Sequence, residues 1–415
     1  MRTPEEHFAA IMKRAHPVPA EVFPPGAVVD ASLVGRVLSE PVHAVLAVPP
    51  FSNSAMDGFL VHDVDVATTP VTLPVAGDVP AGSAPQEFPR GHAVRIMTGA
   101  PVPEDAAGRV HEGLVVVPVE DTNIPAGPAE LPREVTITRV PARPHIRHRG
   151  ENIARGDLIA KAGTKVDTGL VASLLSAGIT TVRVHRPVLV GIVSSGDELV
   201  TGSQLEPGQL PDSNGPMLEA LVKSAVPHAV TTHVHSGDSP EELRKAIEQL
   251  AYSHEVIITT GGVSAGVFDV VHATLTELTE DAWFGTVAQK PGAPQGFTDW
   301  EGLPIISLPG NPVAAFVSFH LYVSPYLSAL SGLAPRTEVC SGRTIIARAG
   351  EDFPSARGGS TAFVPTRVEF GEETVATPFA RGLGSHLVAS LHGTDGLVRV
   401  AEPIKKGDQV RVVFY

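Results

Sequence analysis

At 415 residues with a formal net charge of −14, the chain is too long for one hydrophobic core. It is also too acidic for a general nucleic-acid or anionic-membrane surface, because each phosphate contact needs a basic partner. The single cysteine, Cys340, excludes an internal disulfide and a cysteine zinc cluster and is compatible with a reducing compartment, so a cytoplasmic protein of several domains acting on a small substrate is expected.

The N-terminus opens with Thr3-Pro4-Glu5-Glu6, a capping box with proline at the first helical position, followed by Phe8, Ile11 and Met12 on one face. An ordinary amphipathic helix is predicted there. From about Val45 to Val140 the chain is rich in valine, proline and glycine. Strand-like runs such as Val71 to Val75 and Gly113 to Val119 are broken by turn signals, which reads as a mostly β module. Within it, Asn53 to Phe59 and Arg95 to Pro101 have the composition of turns, Asp57-Gly58 being a hairpin signal. The segment Arg143 to Asn152 gathers positive charge in an acidic protein, suited to pairing with acids or to attracting an oxyanion. His145 and His148 read as surface histidines for want of a third ligand nearby in sequence.

From Pro187 to about Gly332, apolar strands alternate with helices. Strands are predicted at Val188 to Val193, Ala229 to His235, Glu255 to Thr260 and Pro304 to Leu308. Helices are predicted at Met217 to Val226, Pro240 to Ala251 (opening on a second capping box, Ser239-Pro240-Glu241-Glu242), Phe268 to Leu278 and Pro312 to Leu330. Such alternation predicts a doubly wound parallel sheet with helices on both faces. The apolar run Val313 to Leu330 contains His320, Pro325 and three serines and reads as a buried helix rather than a membrane span. Val339 to Tyr415 returns to short strands and turns, a small β domain.

Open parallel sheets bind ligands at the carboxyl ends of their strands. Three such ends are small and polar: Ser194-Ser195-Gly196-Asp197-Glu198, Thr259-Thr260-Gly261-Gly262-Val263-Ser264-Ala265-Gly266 and Pro309-Gly310-Asn311-Pro312. Glycines admit a ligand close to the backbone, and free amides at a helix start favour anions, so a phosphate-bearing guest fits. A single loop of this kind is equally well a tight strand-to-helix turn; three in one sheet point to a site. Asp197, Glu198, Asp212, Asp238 and Asp269 accompany these loops. Carboxylates beside an anion site suggest an intervening magnesium, although Asp238 or Asp269 taken alone reads more readily as a helix cap or first-turn acid.

Along the chain, Ser54-Ala55-Met56-Asp57-Gly58, Arg95-Ile96-Met97-Thr98-Gly99-Ala100, Arg149-Gly150-Glu151, Ser195-Gly196-Asp197-Glu198-Leu199, Asp212-Ser213-Asn214, Thr260-Gly261-Gly262-Val263-Ser264, Lys290-Pro291-Gly292 and Leu308-Pro309-Gly310-Asn311-Pro312-Val313 resemble, in order, the motifs of MoeA proteins, the family that includes the gephyrin E domain. The resemblance implies a multidomain α/β plus β protein. It has an interrupted first domain (1–44 and 141–184), an inserted mostly β domain (45–140), a molybdopterin-binding α/β domain (185–332) and a C-terminal β domain (333–415). It further implies a homodimer whose active site is shared between subunits.

The reaction implied is magnesium-dependent insertion of molybdate into adenylylated molybdopterin with release of AMP. Ser195, Gly196, Thr260, Gly261, Gly262, Ser264, Gly266, Pro309, Gly310, Asn311 and Pro312 would hold the pterin phosphate and its surroundings. Glu198, Asp238 and Asp269 would place magnesium, Asp57 and Thr98 would reach in from the partner subunit, and Lys290 would help hold the oxyanion. An upstream molybdopterin adenylyltransferase and downstream apo-molybdoenzymes are the implied partners.

Four positions depart from the family pattern: Asn152 in place of Asp, His272 in place of Lys, Ala293 in place of a second Lys, and Pro365 where Arg is frequent, with Arg367 nearby. Residues Glu104 to Gly113 also interrupt the usual run after Thr98. These departures keep open a catalytically weakened, cofactor-binding or scaffold paralogue, and, less well supported, a molybdopterin adenylyltransferase.

Overall fold

The computed structural model describes residues 1–23, 28–200, 202, 204–263 and 269–415. The first helix, Pro4–Met12, starts as the sequence dictates. The Thr3 side chain accepts from the Glu6 amide at 3.1 Å while Glu6 accepts from the Thr3 amide at 2.8 Å, and Phe8 and Ile11 are buried below. Such a reciprocal cap contributes about 1 kcal/mol. The second expected box is only half formed. Ser239 accepts from the Glu242 amide, but the Glu242 carboxylate turns outward to the Gly237 amide instead of back to its own cap.

Residues on either side of the β module pair with each other across long separations. Ala20–Phe23 runs antiparallel to Val182–His185, and Val42–His43 to Leu158–Ala160. Between them lies a five-stranded sheet ordered Leu114–Pro118, Gly58–His62, Ala93–Ile96, Val71–Val79, Glu134–Ile137. Period-two alternation gives it two cores: Phe59 and Val61 face one, Leu60 the other. The Asp57-Gly58 pair is not a hairpin turn. Asn53–Ser54 pairs with Ile146–Arg147, whereas Gly58 begins a different strand, where a Cβ would lie 2.0 Å from the Val117 carbonyl oxygen. Glycine is required there by close backbone approach.

The central six-stranded sheet runs Val230–Ser236, Leu189–Ser195, Val256–Thr260, Leu303–Leu308, Pro294–Trp300, Trp283–Thr286. The first four strands are parallel, with helices Asn214–Ala225, Pro240–Ala251 and Val270–Leu278 between them, close to their expected positions. The sheet is not wholly parallel. Pro294–Trp300 and Trp283–Thr286 extend it antiparallel at one edge, from a stretch whose glycines and prolines masked its strand character. After the first strand the chain lays its next strand on one side and the following one on the other. The order therefore reverses between the strands ending at Ser195 and Thr260, where a crevice opens.

The apolar helix Pro312–Leu330 is a core helix, with 83% of its most apolar window buried. It widens into a π turn over Phe319–Val323, just before Pro325, which lacks the amide that would continue an ordinary α turn. The C-terminal part forms a six-stranded sheet that includes Thr344–Ala349, Thr361–Glu369, Gly396–Val400 and Gln409–Phe414. Its edge partner is Gln289–Lys290, lent by the α/β region and paired in parallel with Thr361–Ala362.

Candidate active site

The three strand-end loops converge at the crevice. Gly261 sits at φ +98°, and a Cβ there would lie 2.8 Å from the Ser195 carbonyl oxygen. Gly310 approaches so closely that its Cβ would meet the Gly261 Cα at 3.3 Å. Glycine is required at 261, by its positive φ and by the contact with Ser195, and a side chain at 310 would crowd it. Asn214, at the start of its helix, clasps them: its amide nitrogen donates to the Thr260 hydroxyl at 2.9 Å and to the Gly310 carbonyl at 2.7 Å. Thr260 in turn donates to the Pro309 carbonyl at 3.1 Å.

These loops border a cavity of about 640 Å³. Ser195, Gly196, Thr260, Gly261 and Gly262 line one side, and Pro309, Gly310, Asn311 and Pro312 another. Ser264 and Gly266, assigned to the same loop from sequence, lie outside the described residues.

The three proposed magnesium ligands, Glu198, Asp238 and Asp269, all line this cavity. The helix-cap alternative is met by position for Asp269 and not for Asp238. Ser239, not Asp238, caps Pro240–Ala251, and Asp269 stands at the cap of Val270–Leu278 without a side-chain capping bond to it. Asp238 is held by a reciprocal exchange with Asp197, each carboxylate accepting the other's backbone amide, at 3.2 and 3.0 Å. Among the described residues no three His, Cys, Asp or Glu converge tightly enough to hold a metal by themselves. All three are hard oxygen donors facing a space suited to a phosphate ligand, which fits magnesium, an ion that takes few carboxylates and fills its shell with phosphate oxygens and water.

Asp212 also reaches the cavity wall. Its burial disfavours ionisation. Bonds from His233, the Gly215 amide and the Ser194 hydroxyl outweigh that and hold the carboxyl well below the usual range.

Lys290 is the sole cation among the described lining residues, with Ala293 beside it. The departures noted in the sequence are not compensated in place. The His272 ring packs on Phe284 at 4.8 Å, and Arg367 is occupied by the carbonyls of Phe379, Ser390 and His392. Asn152 is exposed in a turn, and Pro365 pairs within the C-terminal sheet opposite Leu397. None of Arg143, Arg147 and Arg149 is in an ion pair among the described residues, where the pairing of that basic segment with acids is therefore not seen. Ser385, which the sequence did not single out, reaches the cavity from the C-terminal part, anchored where the Val313 amide donates to its carbonyl at 3.3 Å. Only the contact between distant segments reveals it.

Asp57 and Thr98 do not line the cavity. They form a unit on the five-stranded sheet, where Asp57 accepts from the Thr98 amide at 2.6 Å and its hydroxyl at 2.7 Å. Those two bonds hold the exposed Asp57 carboxyl below its ordinary value.

Comparison with known proteins agrees with this arrangement. Residues 2–178 match the MoeA N-terminal region (domain I and II), and residues 191–329 match a probable molybdopterin binding domain. The chain is 35% identical over 347 residues to molybdopterin molybdenumtransferase 2 of Mycobacterium tuberculosis, covering 80% of each protein. It is 32% identical to the molybdopterin molybdenumtransferase of Staphylococcus epidermidis, over 79% of this chain and 75% of that one. The crystal structure of a molybdopterin biosynthesis MoeA protein from Pyrococcus horikoshii superposes with a TM-score of 0.76 at 26% identity, covering 99% and 98% of the two chains. The chain belongs to the MoeA family of molybdopterin molybdenumtransferases, enzymes of molybdenum cofactor biosynthesis.

Proposed function

We propose that the cavity at the sheet's switch point receives adenylylated molybdopterin and molybdate and releases molybdenum cofactor and AMP. The observation that carries this reading is the meeting of three glycine-bearing strand ends, four carboxylates (Glu198, Asp212, Asp238 and Asp269) and Lys290 around one cavity of about 640 Å³. The backbone of Gly261, Gly262 and Gly310 cradles the pterin phosphate, and Asn214 keeps those loops in register. Lys290 orients the molybdate oxyanion toward the pterin dithiolene as a compact charge. Magnesium, held by Glu198, Asp238 and Asp269, would supply charge neutralisation at the phosphoanhydride that breaks when AMP leaves. The protein contributes position and electrostatics and needs no covalent enzyme intermediate.

Asp57 and Thr98 belong to this chemistry through a second subunit, in a homodimer with the site shared between copies. Their place outside the lining of a single chain's cavity supports that reading. The enzyme works in the cytoplasm between a molybdopterin adenylyltransferase, which supplies its substrate, and the apo-molybdoenzymes that take its product.

The test supplies adenylylated molybdopterin, molybdate and magnesium, and follows AMP together with reconstitution of an apo-molybdoenzyme. Molybdate-dependent AMP release is expected. Tight pterin binding without it would overturn the transferase reading in favour of a cofactor-binding scaffold, a reading favoured only by Lys290 being the one cation among the described lining residues. Formation of adenylylated product from ATP and molybdopterin would indicate the earlier enzyme instead.

A further inference from the structure

Lys290 stands at the meeting of three remote parts of the chain. On one side, the N-terminal segment pairs with the strand leading to it: the Arg2 amide donates to the Thr286 carbonyl at 2.9 Å, and the Ala288 amide to the Arg2 carbonyl at 2.8 Å. On the other, Thr361 of the C-terminal sheet donates to the Ala288 carbonyl at 2.9 Å. Beneath lies the core helix with its π turn.

At this junction four polar side chains are wholly buried: Gln289, Gln295, Ser318 and Tyr322. A buried polar group without a partner is costly, so the bonds of such a cluster hold its members in place. Those formed here are directed at the Lys290 loop, although the Gln295 side-chain oxygen has no partner among the described residues. Gln289 donates to the Pro291 carbonyl at 3.0 Å, and Gln295 to the Gly292 carbonyl at 2.7 Å. Both amide nitrogens also donate to the Ser318 hydroxyl, at 3.3 and 2.6 Å, and the Tyr322 hydroxyl donates to the Gln289 side-chain oxygen. Gly292 completes the fit: at φ +83°, a Cβ would stand 3.0 Å from the Ser318 hydroxyl and 3.2 Å from the Gln289 amide.

The far end of the cluster is sealed. The buried His7 ring meets Tyr322 edge-on at 4.8 Å and Trp283 at 4.9 Å, and Arg2 covers the outer face of Trp283 at 3.7 Å. Burial first, then the nearby Arg2 charge, pushes His7 down to about 3, so it packs as a neutral ring.

We propose that Gln289, Gln295, Ser318 and Tyr322 are positioning residues that fix Lys290 on the cavity wall by holding the carbonyls of Pro291 and Gly292. With one cation among the described lining residues, the oxyanion has no second described cation to move to, so the placement of Lys290 sets molybdate affinity. This part of the inference rests on the proposed function; the rigid seating of Lys290 does not.

The test compares the wild type with Tyr322→Phe, Ser318→Ala and the double variant Gln289→Met/Tyr322→Phe, in which both partners of the Tyr322–Gln289 bond are removed together. Positioning predicts that KM for molybdate rises about five-fold or more in all three, while KM for adenylylated pterin stays within about two-fold. Tyr322→Phe, the mildest change, carries the comparison if the double variant does not fold. A merely structural role predicts that stability falls in the variants, most in the double variant, which also loses the Gln289 bonds to Pro291 and Ser318, while KM for molybdate stays at the wild-type value. An unchanged KM for molybdate throughout would overturn the proposal.

The second readout is the rate at which an amine-acylating reagent modifies Lys290, followed by peptide mass. An altered rate in the variants is expected, and an identical rate would sink the positioning role. Altered acylation in a protein that shows no molybdate-dependent turnover even as wild type would uphold the seating of Lys290 and reject the functional reading.

Discussion

Asn214 bonds through one side-chain nitrogen to both Thr260 and Gly310, so a single residue ties together the ends of two neighbouring parallel strands. Replacing it with alanine leaves the buried Thr260 hydroxyl and the Gly310 carbonyl short of a donor, at a cost of about 1–3 kcal/mol. Asn214→Ala is expected to raise the KM for adenylylated pterin about tenfold. Pterin titration by fluorescence, with unfolding followed in parallel, checks this. Unchanged pterin affinity with lowered stability would mean that the clasp serves only the fold.

Glu198 reaches the cavity from the turn at Gly196, where a larger residue would collide with it, the Cβ standing 2.4 Å from the Glu198 carboxylate. Glu198→Gln preserves shape and removes charge. Turnover should fall and the magnesium concentration for half-maximal rate should rise about tenfold, the loss of one charge-assisted contact. A magnesium titration of AMP release that superposes on the wild type would remove Glu198 from the site.

Ala293 offers the opposite experiment. It lies on the cavity wall beside Lys290, where a second cation is sterically near the same space. Ala293→Lys is expected to lower the KM for molybdate by about tenfold, since a hydrogen bond to a charged group contributes about 1.5–3 kcal/mol. Loss of molybdate-dependent activity in this variant would show that the wall cannot take a second ammonium group.

Asp212 makes stability depend on pH in a defined direction. Its carboxyl lies below the ordinary value of about 3.9, so its stabilising effect is present above that value and disappears as pH falls through the folded-state value. Asp212→Asn should therefore melt at a lower temperature than wild type near neutral pH, and the gap should narrow on acidification. Melting curves across an acid series check this; a gap that stays constant would assign the effect to packing rather than charge.

Asp57→Ala and Glu198→Ala proteins, each inactive alone, should recover part of the activity when mixed and allowed to exchange subunits. With the site shared between subunits as proposed, a mixed dimer would contain one site with both residues intact. No recovery after verified exchange would place Asp57 and Glu198 in separate functions.

Local chemistry was largely legible in the sequence. The Thr3 to Glu6 cap, the four parallel strands and the helices between them follow from short-range rules of capping and hydrophobic period, which act within a few residues. The small, polar strand ends announced a ligand site for the same reason. The edge strands Trp283–Thr286 and Pro294–Trp300 were not legible, because their pairing comes from a neighbour already in the sheet and not from their own composition.

What the chain's sequence by itself determined is the set of chemical groups: glycines where backbones must touch, carboxylates and one lysine near strand ends, and the ordered motifs of the MoeA family. The tertiary structure decided which of them meet. It put Glu198, Asp238, Asp269 and Lys290 around one cavity and brought Ser385 to it from the C-terminal part. It engaged Arg367 with carbonyls and seated the Lys290 loop on the buried amides of Gln289 and Gln295, which are bonded in turn to the Ser318 and Tyr322 hydroxyls of the core helix. Those outcomes depend on contacts between residues far apart in the chain, whose geometry exists only once the sheets have packed.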